Sequence, residues 1–262
     1  MEFTVVMIKK EISVNLHDFP KELHHYIQGH TLYDSSCHSN AKVFYSDAGV
    51  YIKVDQKGTL QKEAELTNLF YEKGFGVECL CYLSLDKDYL VTKAAVGEDA
   101  THWEGSPEKL CQILASTLLT LHHQPSISTP VSLSYEQYMK SSIAYHSDSY
   151  DESYILSKYP VHNKEEAWKI IQNYKHHLKA DTLIHGDFCL PNIIINNEKF
   201  STLIDFSQSG LGDKHIDLYW AIWSLQYNLK TDQYTDYFLD CYGRNNFDEY
   251  MLKVIAAFEV FG

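Results

Sequence analysis

One stretch, LIHGDFCLPNIIINNEKFSTLIDF at residues 183 to 206, restricts the fold more than any other. Its two apolar runs, Ile193 to Ile195 and Phe200 to Ile204, are separated by a polar turn, the pattern of a β-hairpin. Yet Asp187 precedes the hairpin, Asn192 opens it and Asp205 closes it. A hairpin made only to be buried has no use for polar groups at those positions. In an antiparallel pair the start of one strand neighbours the end of the other, so Asn192 and Asp205 can share one ion. Any one of the three, alone, would pass as a turn residue satisfying local backbone. Their joint spacing does not.

Oxygen ligands unaccompanied by thiols or imidazoles suit magnesium, which keeps room for water and phosphate oxygens. A carboxylate on a rigid loop, as Asp187 would be, can take the proton of a hydroxyl. Together they match the pattern of phosphoryl transfer, in which a loop Asp accepts the hydroxyl proton while an Asn and a second Asp hold the metal. His185 lacks any companion at zinc-binding spacing and is read as a residue that orients the loop.

Around that hairpin the periodicity changes once. AKVFYSDAGVYIKVD and CLCYLSLDKDYLVTKA alternate like strand pairs, and LQKEAELTNLFYEKG between them places Leu66, Leu69 and Phe70 on one helical face with Gly74 as a stop. From Pro107 onward helical patterns dominate: in SPEKLCQILASTLLTLHHQP, Ser106 can cap, Pro107 fits the first turn and Pro125 lies past the end. The change falls in TKAAVGEDATHWEG. The chain has 262 residues, 45% of them hydrophobic, enough for a large core in one domain or two.

A net charge of -13 speaks against a nucleic-acid surface, which needs a basic stripe, and suits cationic ligands. No run approaches the ~20 apolar residues of a membrane span. Six scattered cysteines without a secretion signal point to reduced thiols, and the expectation is a soluble cytoplasmic protein with no nucleic-acid or membrane partner, a monomer or weak dimer.

HGDFCLPNIII, the run LIDFSQSGLGDKHIDL and the upstream LLTLHHQP resemble the aminoglycoside phosphotransferase family, most of all the branch that modifies a 3' or 3'' hydroxyl. The likeness runs from SNAKVFY to the C-terminus. It implies an α+β, bilobal protein-kinase-like fold: a small antiparallel-sheet N-lobe with one helix over residues 1–95, and a larger, mainly helical C-lobe over 96–262. It also implies transfer of the γ-phosphate of ATP (or GTP), with Mg2+, to a hydroxyl of a small cationic aminoglycoside, the 3' type favoured, and hence antibiotic resistance. A streptomycin 3''-kinase, a metabolic kinase for a related small alcohol, and a nucleotide-binding module without catalysis are the alternatives. A protein kinase is disfavoured, because GLGDKHIDLYWAIWSL leads straight into an apolar helix with no activation segment.

By the same resemblance Lys53 would meet the α- and β-phosphates, with Glu63, or Glu65 if the alignment slips, as its ion-pair partner. Ser39 and Asn40 would offer backbone N–H groups to phosphate, although DSSCHSNAKVFY lacks a G-x-G-x-x-G pattern. Tyr51 would stack on adenine, and the backbone from Lys93 to Ala95 would be the edge adenine bonds. Glu259 and the carboxylate of Gly262 would face a polyamine, with Asp148, Asp151 and Glu152 as further substrate candidates. Asp213 and Asp217 are read as bracing the loop or capping a helix, and the adjacent pair His122 and His123 as packing.

Two departures stand out. The family's small residue, Gly and Arg after the metal Asp are Phe206, Ser207 and Gln208 here. Where acids for the drug's ammonium groups are expected, SLQYNLKTDQY offers Tyr227 and Asn228.

Overall fold

The structure is a computed structural model that describes residues 10–36, 41–125 and 150–261. Ser39, Asn40, Asp148 and Gly262 lie outside the described residues. The chain forms two compact units, and the sequence passes between them three times: one unit takes residues up to Asp99 together with Ile193–Ser207, the other Ala100–Asn192 and Gln208–Gly262. No helix among the described residues is long and apolar enough to cross a membrane.

In the first unit, strands β1 (Lys10–Ile12), β2 (Leu32–Asp34), β3 (Lys42–Ser46), β4 (Val50–Gln56), β5 (Cys79–Ser84) and β6 (Lys87–Lys93) form one antiparallel sheet in the order β1-β2-β3-β4-β6-β5. Alternation decides which face is which. Ile52 and Val91 turn into a core with Leu23, Ile27, Leu32, Val50 and Tyr89, which leaves Lys53 on the other face. There α1 (Gln61–Glu72) packs, with Leu66 and Phe70 fully buried and Leu60, Ala64 and Leu90 forming a second apolar group.

Strand β7 (Glu98–Asp99) and the hairpin of β9 (Ile193–Asn196) and β10 (Lys199–Leu203) make a separate three-stranded sheet in the order β10-β9-β7. The hairpin turns through Asn197 and Glu198, both with positive φ, the conformation of a tight turn whose twist matches its strands. Gly97 is required nearby: at φ +122° a Cβ there would sit 2.3 Å from Ile195 O.

The second unit is mainly helical, with α2 (Pro107–His122), α3 (Lys164–Tyr174), α4 (Lys214–Leu229), α5 (Thr235–Tyr242) and α6 (Glu249–Glu259). Ser106 caps α2 by accepting from Lys109 N, and Pro107 occupies its first turn. Leu110, Leu114, Leu118 and Leu121 follow at helical spacing and are all buried, each stabilising by roughly 1.5–3 kcal/mol. A short antiparallel pair, β8 (Thr182–Ile184) and β11 (Gly210–Gly212), with Ile184 opposite Gly210, closes the loop that begins at His185.

The α1 terminus is held in a way the local sequence conceals. Its N-cap is Leu60, which has no side-chain acceptor, and the cap comes from the β5–β6 hairpin: Asp88, fully buried, accepts from Leu60 N at 2.9 Å and from the Tyr82 hydroxyl at 3.0 Å. Burial pushes the Asp88 carboxyl up, but the N–H groups and hydroxyls around it outweigh that and hold it below the ordinary carboxylate range. A group whose folded value is depressed contributes fully above its unfolded value of about 4 and loses that contribution as the pH falls through the lower folded value. Asp88→Ala should therefore lower unfolding stability by about 1–2 kcal/mol at neutral pH and shrink the acid limb of the stability curve, as read from urea midpoints at a series of pH values.

Candidate active site

Six of the described sequence-predicted residues, Lys53, Glu63, Asp205, Tyr51, Lys93 and Ala95, lie in the first unit. Lys53, at the middle of β4, reaches Glu63 on α1 with its Nζ 2.8 Å from both carboxylate oxygens and 3.5 Å from Asp205 Oδ1. Burial works against the ammonium, yet the charges of Asp205 and Glu63 prevail and hold it above its ordinary value. Burial likewise raises Glu63, and Lys53 offsets this only in part because Asp205 adds a second negative charge. The excess charge is negative, so the trio suits a further cation. Glu65, two residues on, is exposed and bonded by Gln61, so the ion pair belongs to Glu63 alone.

Asp205 is held with φ +62°, a left-handed conformation that costs a residue with a Cβ about 1 kcal/mol. What fixes it is its neighbour. Phe206 is buried against Phe70 at 4.5 Å between ring centroids, and Phe70 stands seven residues, two turns, beyond Glu63 on the same buried face of α1. The Phe that departs from the family's small residue thus anchors Asp205 to the helix that carries Glu63.

Tyr51 lies opposite Tyr45 with rings 5.1 Å apart, and it also packs with Val77 and Ile204 against Ala95 and Ile194. Burial, then Tyr45 and Asp99, raise its phenol above the usual value. Of the predicted adenine edge, Lys93 N donates to Glu78 O and Ala94 N to Gly49 O, while Ala95 N donates to none of the described residues. The Lys93 side chain is exposed beside Glu78.

The second unit holds the loop. Asn192 Nδ2 donates to Asp187 Oδ2 at 2.8 Å and to Asp187 O at 3.0 Å, which aims the carboxylate and leaves the amide Oδ1 as an oxygen ligand. Cys189 N also donates to Asp187 O, and Leu190 N to Ser224 Oγ. Asp217 braces the start of the loop: its buried carboxylate accepts from His185 N at 2.9 Å and Gly186 N at 2.7 Å. Gly186 has φ +84°, and a Cβ would meet Gln208 O at 2.1 Å, so no other residue fits. Asp213 caps α4 through His215 N.

His122 is the functional residue that sequence reasoning missed. Its Nε2 lies 3.1 Å from Asp217 Oδ2 and its Nδ1 2.8 Å from the Tyr242 hydroxyl, all buried. The signal was present in the L-x-x-L-H-x-x-P element, but adjacency to His123 made it read as packing. His123 bonds only back to Leu119 O.

Among the substrate candidates, Glu259 is buried at the end of α6, close enough for its charge to act with Asp187 on the Cys189 thiol, which burial foremost pushes well above its ordinary value. Asp151 caps the short turn Glu152–Tyr154 through Ser153 N, and its own N–H donates to Val260 O. Glu152 is exposed on that turn. Among the described residues no group of three or more His, Cys, Asp or Glu is assembled for a metal.

Comparison with known proteins gives one family. Residues 17–251 match the model of the phosphotransferase enzyme family. A curated relative from Lactococcus lactis subsp. lactis (strain IL1403), named a probable aminoglycoside 3'-phosphotransferase, is 40% identical over 258 residues, 97% of this chain and 98% of that one. Among solved structures, an aminoglycoside-3'-phosphotransferase of type VIII superposes with a TM-score of 0.72 at 20% identity, covering 94% of this chain and 99% of that one. A Streptomyces rimosus ATCC10970 aminoglycoside phosphotransferase in complex with ADP and streptomycin superposes at 0.68 with 18% identity, covering 84% of this chain and 90% of that one. These likenesses show the fold, the expected α+β kinase-like class.

Asp217→Asn should set an amide N–H2 against a backbone N–H in the loop brace and cost roughly 1–3 kcal/mol. A lowered denaturant midpoint, with catalytic turnover falling in parallel, is the expected result.

Proposed function

We propose, since this chain belongs to the phosphotransferase enzyme family, that it transfers the γ-phosphoryl group of ATP or GTP to a hydroxyl of an aminoglycoside, the 3' hydroxyl by preference. The observation that carries this reading is the pairing of Lys53 with Glu63 beside Asp205 in one unit, and of Asn192 with Asp187 in the other. The name of the Lactococcus relative, matched from end to end, supports the substrate class, and the ADP and streptomycin bound by the Streptomyces protein support a nucleotide and an amino sugar as its ligands.

Asp187 accepts the proton of the attacking hydroxyl as its oxygen forms the new bond to phosphorus. The bond from phosphorus to the bridging oxygen breaks, and that oxygen leaves with the electron pair on the nucleoside diphosphate. Asn192 fixes the carboxylate for this transfer, and the brace from Asp217 keeps the backbone beneath it still. Lys53 binds the α- and β-phosphates, and Glu63 holds its ammonium in place. By the family resemblance Asn192 Oδ1 and the Asp205 carboxylate would each offer magnesium the kind of oxygen donor it prefers. The ion would neutralise charge on the phosphates. Tyr51, Ala95 and Ile194 form an apolar bed for the base, and Ala95 N–H is the donor offered to it. A protein that spends ATP in this way works in the cytoplasm, as a monomer or weak dimer that needs neither nucleic acid nor membrane.

Coupled ADP release with Mg·ATP against kanamycin, neomycin, streptomycin, choline and simple sugars tests the reading. Turnover is expected with a 2-deoxystreptamine aminoglycoside. Streptomycin alone would shift the assignment to the 3'' hydroxyl, and turnover with choline or a sugar alone would make this a metabolic kinase. Asp187→Asn should lower kcat by roughly 10²–10⁴ while nucleotide binding by calorimetry persists. Asp205→Asn should instead weaken the magnesium dependence of nucleotide binding.

A further inference from the structure

The position where the family's acids are expected is occupied by something else, and the structure shows what that is. Of Tyr227 and Asn228, only one faces outward. Asn228 Nδ2 turns back along α4 to Ser224 O at 2.8 Å and Ser224 Oγ at 3.2 Å, whereas Tyr227 is 59% exposed. Its ring lies parallel to Trp223, 5.1 Å apart at 10°, and Trp223 continues edge-on into Trp220 at 5.4 Å. Tyr154 packs on both tryptophans at 5.7 and 5.9 Å, and Trp223 Nε1 donates to Ser153 O, which fixes the shelf.

We infer that this aromatic shelf, Tyr227 and Trp223 at its open end with Trp220 and Tyr154 behind, is a subsite for an ammonium-bearing ring of the substrate, with π-faces doing the work of absent carboxylates. The inference rests on the aminoglycoside reading above. A cation already marks it: Lys230 Nζ stands 4.1 Å from the Tyr227 ring centroid, inside the ~6 Å reach of a cation–π contact. Lys230 ends α4 with φ +56°, so the chain's own ammonium is presented to that ring from the helix terminus. An incoming ammonium would compete with it for the ring.

The shelf is tied to the reacting loop and to negative charge. Ser224, which receives the Asn228 amide, accepts Leu190 N of the loop, and Trp220 O lies 4.0 Å from Cys189 Sγ, two residues past Asp187. Asp151 and Glu259 both act electrostatically on Tyr154, whose phenol is raised first by burial and then by them. A ring held there has π-faces beneath it, which favours a protonated amino sugar over a neutral one.

Steady-state kinetics of the full chain with kanamycin and Mg·ATP decide the matter. Tyr227→Leu keeps the apolar bulk and removes the π-face, so the KM for kanamycin should rise roughly threefold to thirtyfold with little change in kcat or in the KM for ATP. Tyr227→Phe should stay within about twofold of the parent, because the face remains. Lys230→Gln, which removes the competing ammonium, should lower the KM for kanamycin. Equal KM values for Tyr227→Leu and the parent, at unchanged melting temperature, would overturn the subsite and leave the kinase reading standing, as would a raised KM in Lys230→Gln. If the parent turns over no aminoglycoside at all, the functional reading falls and the subsite with it.

Discussion

A single buried carboxylate carries the loop on which any transfer chemistry in this chain depends. Residues 185 to 187 have no regular structure of their own, so their backbone donors need partners from elsewhere. Asp217 supplies them, taking two N–H groups at 2.7 and 2.9 Å while its own position is fixed by His122 and, through it, by Tyr242. Buried polar networks of this kind hold when every member is satisfied and fail together when one is not. The arrangement uses three helices, α2, α4 and α5, to keep two backbone N–H groups still.

Because Asp217 begins α4 and Ser224, Trp220 and Trp223 follow on it, the same helix sets both the loop and the aromatic shelf. Distance along one rigid rod replaces any need for a flexible connection. The first unit uses a comparable economy: α1 brings Glu63 to Lys53 with one turn and Phe70 to Phe206 with another, so one helix sets both Lys53 and the strained Asp205. Strain at φ +62° persists there because packing over-determines it.

Much of this was legible in the sequence. The hairpin, the D-x-x-x-x-N spacing of Asp187 and Asn192, the Lys53 and Glu63 partnership, the Ser106 cap and the bracing role of Asp217 follow from local pattern or from likeness to a known motif. What escaped was non-local. Asp88 caps a helix that begins 27 residues before it, and nothing near Leu60 announces this. His122 reads as half of a packing pair until the fold brings Asp217 to it from 95 residues away. The turn after Asp205 looked like a loss of glycine and arginine, whereas burial of Phe206 against Phe70 is the gain.

The membership of Ile193–Ser207 in the first unit bears on how the protein is made. When synthesis has reached residue 99, β7 has no β9 to pair with and Phe70 has no Phe206 to cover it. Roughly a hundred further residues must emerge before β7 acquires its two partner strands, so that strand and a large apolar ring stay exposed to the translating cell meanwhile. Completion of the first unit thus waits on the same hairpin that delivers Asp205, and a chain arrested before that point would present an unpaired strand and an uncovered Phe70 to chaperones.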